Sequence, residues 1–163
     1  IITSDTYSKY IKENNKNIRP LFSDGASASI IKYSKNGFKI IKKINKNLKN
    51  TQNNLIFKGK FIEMNGPSLV SFVAKYVSPT IINNSKNINA IYLHQAGKIV
   101  TNLIKRSLKN IFIPTNYQKY GNLVSTSIPV LIKENFVNFK KSKEIIICGF
   151  GVGISMSLIK LKR

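Results

Sequence analysis

The second half of this chain carries a fixed order of periodic segments, and that order limits the fold more than any other feature. Ile88 to Leu93 is a short β-rich run that ends at His94, and Ile99, Val100, Leu103, Ile104 and Leu108 then mark one face of a helix. Gly121-Asn122 makes a turn before a further helical pattern over about residues 125–136. Ile145 to Cys148 is a continuous apolar strand, Ile154 to Leu161 alternates as a final strand, and a glycine-rich corner lies between them. The order β, α, loop, α, β, β predicts an α/β layered arrangement, and no internal period points to a repeat array.

The first half is more broken. Ile1 to Ile11 reads as the end of a strand followed by a polar turn or short helix. Phe22-Ser23-Asp24-Gly25 is a turn signal leading into Ala26 to Tyr33, a small-residue run ending in β-branched residues that predicts a buried strand. Another strand is expected over Phe38 to Ile44. Residues 45–54 are almost entirely Lys, Asn, Gln and Thr and predict an exposed loop. From Pro67 to Ile82, Leu69, Val70, Phe72, Val73, Tyr76 and Val77 recur at helical spacing, with Pro67 in the first turn where its missing N–H costs little.

Composition narrows the function classes. The 163 residues are 42% hydrophobic, enough to bury a core. The sequence begins Ile1-Ile2-Thr3-Ser4, its methionines are Met64 and Met156, and no charged segment followed by an apolar run marks a signal peptide, so it reads as an excised piece of a longer product. No apolar run reaches the roughly 18 residues of a membrane span, so none is expected. One cysteine, Cys148, forms no internal disulfide, one histidine adds no metal set, and a reducing cytoplasm is the expected compartment. The net charge of +21, from 27 basic and 6 acidic residues, would alone point to a polyanionic partner. Only Arg19, Arg106 and Arg163 are arginines, however, and the lysines come with asparagine and isoleucine, as in Lys42-Lys43-Ile44-Asn45-Lys46-Asn47. An AT-rich coding sequence is one source of such a mix that needs no selection for a binding surface, and a functional basic surface is the other. A basic nucleic-acid-binding domain ranks last because it leaves the motifs below unexplained, and no nucleic acid is expected as a partner.

Three motifs carry potential chemistry. His94 sits at the strand-to-helix junction of Tyr92-Leu93-His94-Gln95-Ala96-Gly97, where α/β folds place reactive groups, although a lone histidine is more often packed or on the surface. Gly121-Asn122-Leu123-Val124-Ser125-Thr126-Ser127-Ile128-Pro129 reads plainly as turn chemistry followed by helix capping; its sharper reading puts the Asn122 amide as a fixed N–H donor toward the pocket of His94. Cys148-Gly149-Phe150-Gly151-Val152-Gly153 has the wrong spacing for a dinucleotide fingerprint, and only ten residues follow Gly153. A glycine hairpin that lets backbone N–H groups approach a ligand fits better.

Taken in order, these motifs resemble the C-terminal half of β-ketoacyl-acyl-carrier-protein synthase III, a thiolase-like enzyme. Phe22-Ser23-Asp24-Gly25-Ala26-Ser27-Ala28 is similar to that family's Asp-Gly-Ala turn and strand, and Met64-Asn65-Gly66 to the segment before its long helix. The resemblance implies the C-terminal half of a layered α/β/α/β/α fold with a mixed sheet flanked by helices. Residues 1–54 would end the N-terminal half and residues 55–163 would form the catalytic domain. It implies decarboxylative Claisen condensation of an acyl thioester with malonyl-acyl-carrier protein. His94 and Asn122 would be neutral donors to the enolate, with a depressed His94 pKa, and backbone N–H groups at Gly151 and Val152 would hold the second oxyanion. The family's nucleophilic cysteine lies in the preceding half, whereas Cys148, after Ile145-Ile146-Ile147, reads as structural. No cofactor is implied as permanently bound; substrates travel as CoA and phosphopantetheine thioesters, and the implied partners are acyl carrier protein, acyl-CoA and a second copy of the full-length enzyme.

Gln95, Gly97, Lys98, Lys105 and Arg106 are the candidates for carrier-protein or CoA contacts, the basic ones facing an acidic carrier. The sequence departs from the family at Gly97, where His-Gln-Ala is usually followed by Asn, and at Ile99, where a basic residue is expected beside Lys98. Both departures put CoA affinity in doubt and suit a divergent member in secondary or surface-lipid metabolism. The alternative is a non-catalytic thiolase-like subunit that partners an active synthase.

Overall fold

The computed structural model describes residues 1–163. The chain opens with a two-stranded antiparallel ribbon, β1 (Ile2–Asp5) and β2 (Gly25–Ala28), and continues into the long strand β3 (Lys39–Asn47). A hairpin of β4 (Leu55–Lys58) and β5 (Phe61–Met64) follows, its two-residue connection opening with Gly59 at φ 62°, the left-handed conformation such tight hairpins need. Helix α1 (Gly66–Phe72) then starts with Pro67 in its first turn and the Asn65 side chain accepting from the Ser68 N–H.

The helix continues through a π turn at Val73–Val77 into α2 (Ser78–Asn83). Pro79 explains the widening. Its ring has no N–H to bond the preceding turn and would collide with it, and a wider turn absorbs both problems without ending the helix. The buried Val73, Val77 and Ile81 keep one face of the whole run against the core.

Four more helices, α3 (Lys98–Lys105), α4 (Tyr117–Tyr120), α5 (Ser127–Glu134) and α6 (Phe136–Lys141), separate β6 (Ala90–Leu93) from the closing strands β7 (Glu144–Gly151) and β8 (Ser155–Lys162). β6 and β7 run parallel, while β8 is antiparallel to both β7 and β3, giving one mixed sheet in the order β3-β8-β7-β6. Every residue of β6 is buried, because helices cover both faces of the sheet. Ile91, Leu93, Ile146, Cys148 and Leu158 point to the face packed under α1, α2 and α3, and Ala90, Tyr92, Ile145 and Leu161 to the face under α5. Side chains such as Ile81, Ile91, Leu93, Ile104, Ile146 and Leu158 are fully removed from water, each worth about 2 kcal/mol of burial.

The structure differs from the sequence expectation in two places. The buried strand expected over Ala26–Tyr33 stops at Ala28, and Ile30, Ile31 and Tyr33 are 95%, 76% and 90% exposed. β-branched residues favour strands only where there is a surface to pack on, and here β2 has β1 as its only neighbour. The loop expected over residues 45–54 begins later, since Asn45, Lys46 and Asn47 pair with Ser157, Met156 and Ser155 on β8, and Gln52–Asn54 form a 3-10 turn. β3 is also one of the two outer strands of the sheet. Its Lys39, Lys42, Lys43 and Lys46 charge an edge that would otherwise invite strand addition, which accounts for part of the lysine excess.

Two segments distant in sequence are sewn together at the heart of the site. Asn122 N–H donates to Leu21 C=O at 2.7 Å, and Ser23 N–H donates to Asn122 C=O at 3.0 Å. Gly121 permits this approach: it sits at φ 66°, and a Cβ there would lie 2.9 Å from Ser23 Oγ and 3.0 Å from Leu21 O. Gly121→Ala should therefore cost about 2–3 kcal/mol, combining backbone strain with backbone collision. Gly59→Ala, also at positive φ but with nothing within 4 Å of the added carbon, should cost about 1 kcal/mol. Denaturant midpoints of the two variants check the difference, and equal losses would contradict it.

Candidate active site

β6 ends at Leu93, so His94 emerges where the strand leaves the sheet, its N–H still donating to Cys148 C=O on β7 at 2.9 Å. The next residue, Gln95, is fully buried. Its Nε2 donates to Leu93 C=O at 2.9 Å and its Oε1 accepts the Asn116 N–H at 3.1 Å. Asn116 Nδ2 in turn donates to Glu134 Oε2 at 2.8 Å, and Tyr120 OH donates to Glu134 Oε1 at 2.9 Å. This network runs from the end of β6 to the residues preceding Gly121 and on to α5. Gln95, a candidate for carrier or CoA contact, thus has both ends of its amide engaged inside the protein.

Gly97 has φ 115° and ψ 175°, a region essentially reserved for glycine, and it precedes the first residue of α3. The glycine at this position thus has a backbone reason. Along α3, Lys98 and Arg106 are exposed, whereas Lys105 Nζ donates to Ile113 C=O at 3.2 Å and helps hold the helix to the following loop.

His94 and Asn122 line one cavity of about 360 Å³, together with Phe150 and Gly151 at the end of β7, Val152 just after it, and apolar Leu55, Met64 and Leu69 from the hairpin and α1. The structure thus brings four sequence-predicted site residues, His94, Asn122, Gly151 and Val152, to one space. Phe150 packs edge-on against the imidazole, with ring centroids 5.6 Å apart. Asn122 Oδ1 accepts the Val124 N–H at 2.9 Å, which leaves its amide NH₂ as the donor of that side chain. His94 Nδ1 lies 2.7 Å from Ser127 Oγ.

Burial dominates the electrostatics. It pushes the His94 pKa down from 6.5 to about 4, against a smaller opposing effect of the Val124 carbonyl, so the ring is neutral at pH 7. The same cause pushes the Cys148 thiol up to about 12. Cys148 is buried in the core on the side of the sheet under α1 to α3, and at neutral pH it carries no thiolate with which to attack a substrate.

Sequence reasoning passed over two features. Ser127 belongs to a motif already noted, but its contact with His94 depends on how the turn folds. A second, more open hollow of about 610 Å³ is lined by Lys9, Lys12, Arg19 and Lys60. The spacing of basic residues near the start of the chain was the available signal, hidden among other lysines.

A mixed sheet between helical layers, with a histidine and an asparagine presented into one cavity beside a glycine corner, defines a thiolase-like α/β protein. The model of the 3-oxoacyl-[acyl-carrier-protein] synthase III family matches residues 1–46, and that of the family's C-terminal region matches residues 83–162. The chain belongs to the 3-oxoacyl-[acyl-carrier-protein] synthase III family. It is 29% identical to the β-ketoacyl-[acyl-carrier-protein] synthase III of Clostridium perfringens and 26% identical to that of Streptococcus agalactiae, in each case over 99% of this chain and 58% of the relative. Among solved structures, the synthase III of Thermus thermophilus superposes with a TM-score of 0.87 at 18% identity, covering 99% of this chain and 58% of that one. The enzyme of Aquifex aeolicus gives 0.83 at 22%, covering 99% and 56%. The chain thus spans a little over half the length of the relatives it matches. No helix is long and apolar enough to cross a membrane.

His94 is the only histidine, so its titration can be followed without ambiguity. Its ring resonances should shift with a midpoint near pH 4, and a midpoint at the ordinary 6.5 would contradict the burial. Between those two values the unfolded chain binds more protons than the folded one. Stability should therefore be full above about pH 6.5 and decline as pH falls toward 4, and His94→Gln should remove that part of the slope.

Proposed function

We propose that this chain supplies the condensing half-site of a synthase III that joins an acyl thioester to a malonyl thioester on acyl carrier protein. The nucleophilic cysteine comes from outside these 163 residues. In the first half-reaction that thiolate attacks the acyl-CoA carbonyl and expels the CoA thiolate. Malonyl thioester then loses carbon dioxide, the electrons of the broken C–C bond forming an enolate whose carbon attacks the acyl-cysteine. Collapse of that adduct releases the cysteine thiolate and a 3-oxoacyl thioester.

The observation that carries this reading is the shared cavity of His94 and Asn122, with the chain's one cysteine sealed in the core. Charge builds on the malonyl thioester oxygen as carbon dioxide departs. Two neutral donors in a largely apolar cavity stabilise it without adding charge to the substrate's resting state. A His94 pKa near 4 favours this donor role over that of a general base at pH 7. Gly151 and Val152 supply backbone N–H groups for the acyl oxyanion. The hollow of Lys9, Lys12, Arg19 and Lys60 offers countercharge for the phosphates of a CoA or phosphopantetheine arm, and the exposed Lys98 and Arg106 offer it to an acidic carrier protein. The fuller reading adds a homodimer of the complete enzyme acting in the cytoplasm with no permanently bound cofactor.

The test uses the chain joined or co-expressed with a cysteine-bearing N-terminal part of the family. His94→Ala and Asn122→Ala should each lower malonyl decarboxylation about 10²- to 10³-fold while acyl loading of the cysteine, read by mass, persists. Loss of loading with decarboxylation intact would reverse the assignment. A complete protein that neither loads nor decarboxylates would favour a non-catalytic partner subunit.

A further inference from the structure

The turn that carries Asn122 also contains the group that sets the polarity of His94. Ser127 Oγ lies 2.7 Å from His94 Nδ1 and 3.0 Å from Val124 C=O. A hydroxyl carries one proton and can donate to only one of the two. Ser127 is 1% exposed, so water does not relieve the choice. Val124 C=O also accepts the backbone N–H of Ser127, so it keeps a partner when the hydroxyl turns to the ring. His94 Nδ1 is the closer acceptor and, on a neutral ring, has a lone pair only if the ring proton sits on Nε2.

The two arrangements have opposite consequences. If Ser127 donated to Val124, its oxygen would accept an Nδ1–H, and Nε2 would meet the cavity as a bare lone pair that repels an oxyanion. If Ser127 donates to Nδ1, Nε2 carries the proton and the imidazole is a donor. The geometry points to Ser127 as a positioning residue that donates its proton to His94 Nδ1 and so holds the neutral ring in the Nε2–H tautomer. This rests on the enolate-stabilising role proposed for His94.

Val124 makes the arrangement work from the other side. It sits at φ 52°, which for a β-branched residue is a strained left-handed conformation costing about 1–3 kcal/mol. The bend aims its N–H at Asn122 Oδ1, occupying the oxygen of that amide, and its C=O at Ser127. One strained residue thus sits between the two side chains that must both present hydrogens. Phe150, edge-on to the imidazole, limits rotation of the ring.

The single histidine gives a direct test. Long-range ¹H–¹⁵N spectra of the ¹⁵N-labelled chain above pH 6.5 report which ring nitrogen carries the proton. The wild type should show a protonated Nε2 and a bare Nδ1. In Ser127→Ala the majority proton should move to Nδ1, where the Val124 carbonyl becomes its acceptor, and Ser127→Thr should restore the wild-type pattern. A wild-type ring protonated on Nδ1, or an alanine variant with the wild-type pattern, overturns the inference. Should the alanine variant unfold, Ser127→Cys keeps the volume with a weak donor and must show the same shift, an unchanged pattern again overturning it. The reading needs no substrate, so it can fail while His94→Ala still abolishes decarboxylation in the completed enzyme, and the two failures remain distinct.

Discussion

The amide of Gln95 joins the elements that carry the site. It is wholly buried, with one end bonded to Leu93 C=O and the other to Asn116 N–H, and Asn116 passes the connection to Glu134 on α5. A buried amide left unpaired would cost about 1–3 kcal/mol, so this side chain enforces the arrangement that satisfies it. The strand end that presents His94 and the helix that begins at Ser127 are thereby held in one geometry. Asn122 is fixed from the opposite side by the backbone of Leu21 and Ser23, which ties the start of the chain to the same cavity.

Burial then sorts the titratable groups without help from a nearby charge. A single cause lowers the pKa of His94 and raises that of Cys148, because in each case it disfavours the charged form. The imidazole stays neutral, with one ring N–H to donate, and the thiol stays protonated and inert. The chain's many cations lie elsewhere: four lysines on the edge strand β3, four basic residues around the hollow beside Tyr7, and Lys98 and Arg106 on α3. A net charge of +21 therefore coexists with a cavity lined by His94, Asn122 and apolar groups.

The parts legible in the sequence are those whose packing is local or uniform. β6, β7, β8 and α3 show plain apolar patterns because each buries a face, although Ile99, expected on the buried face of α3, is 69% exposed. Ala26–Tyr33 misleads because strand propensity expresses the presence of neighbours, and beyond Ala28 there are none. The helical spacing expected from Pro67 to Ile82 does carry on past Pro79, but it gives no sign of the π turn at Val73–Val77 that accommodates the proline. His94 and Asn122 stand out through motif resemblance, but their meeting in one cavity depends on the Leu21–Asn122 pairing, which no spacing encodes. The internal partners of Gln95 were equally out of reach of the sequence, because its neighbour in space, Asn116, lies 21 residues further along the chain.

The central claim is that His94 and Asn122 act on one oxygen. Titrating the completed, ¹⁵N-labelled enzyme with a malonyl thioester analogue that cannot lose carbon dioxide tests it directly. The His94 ring N–H and the Asn122 side-chain NH₂ should shift together and saturate at the same analogue concentration. A response from one group alone, or two responses with different midpoints, would contradict the account.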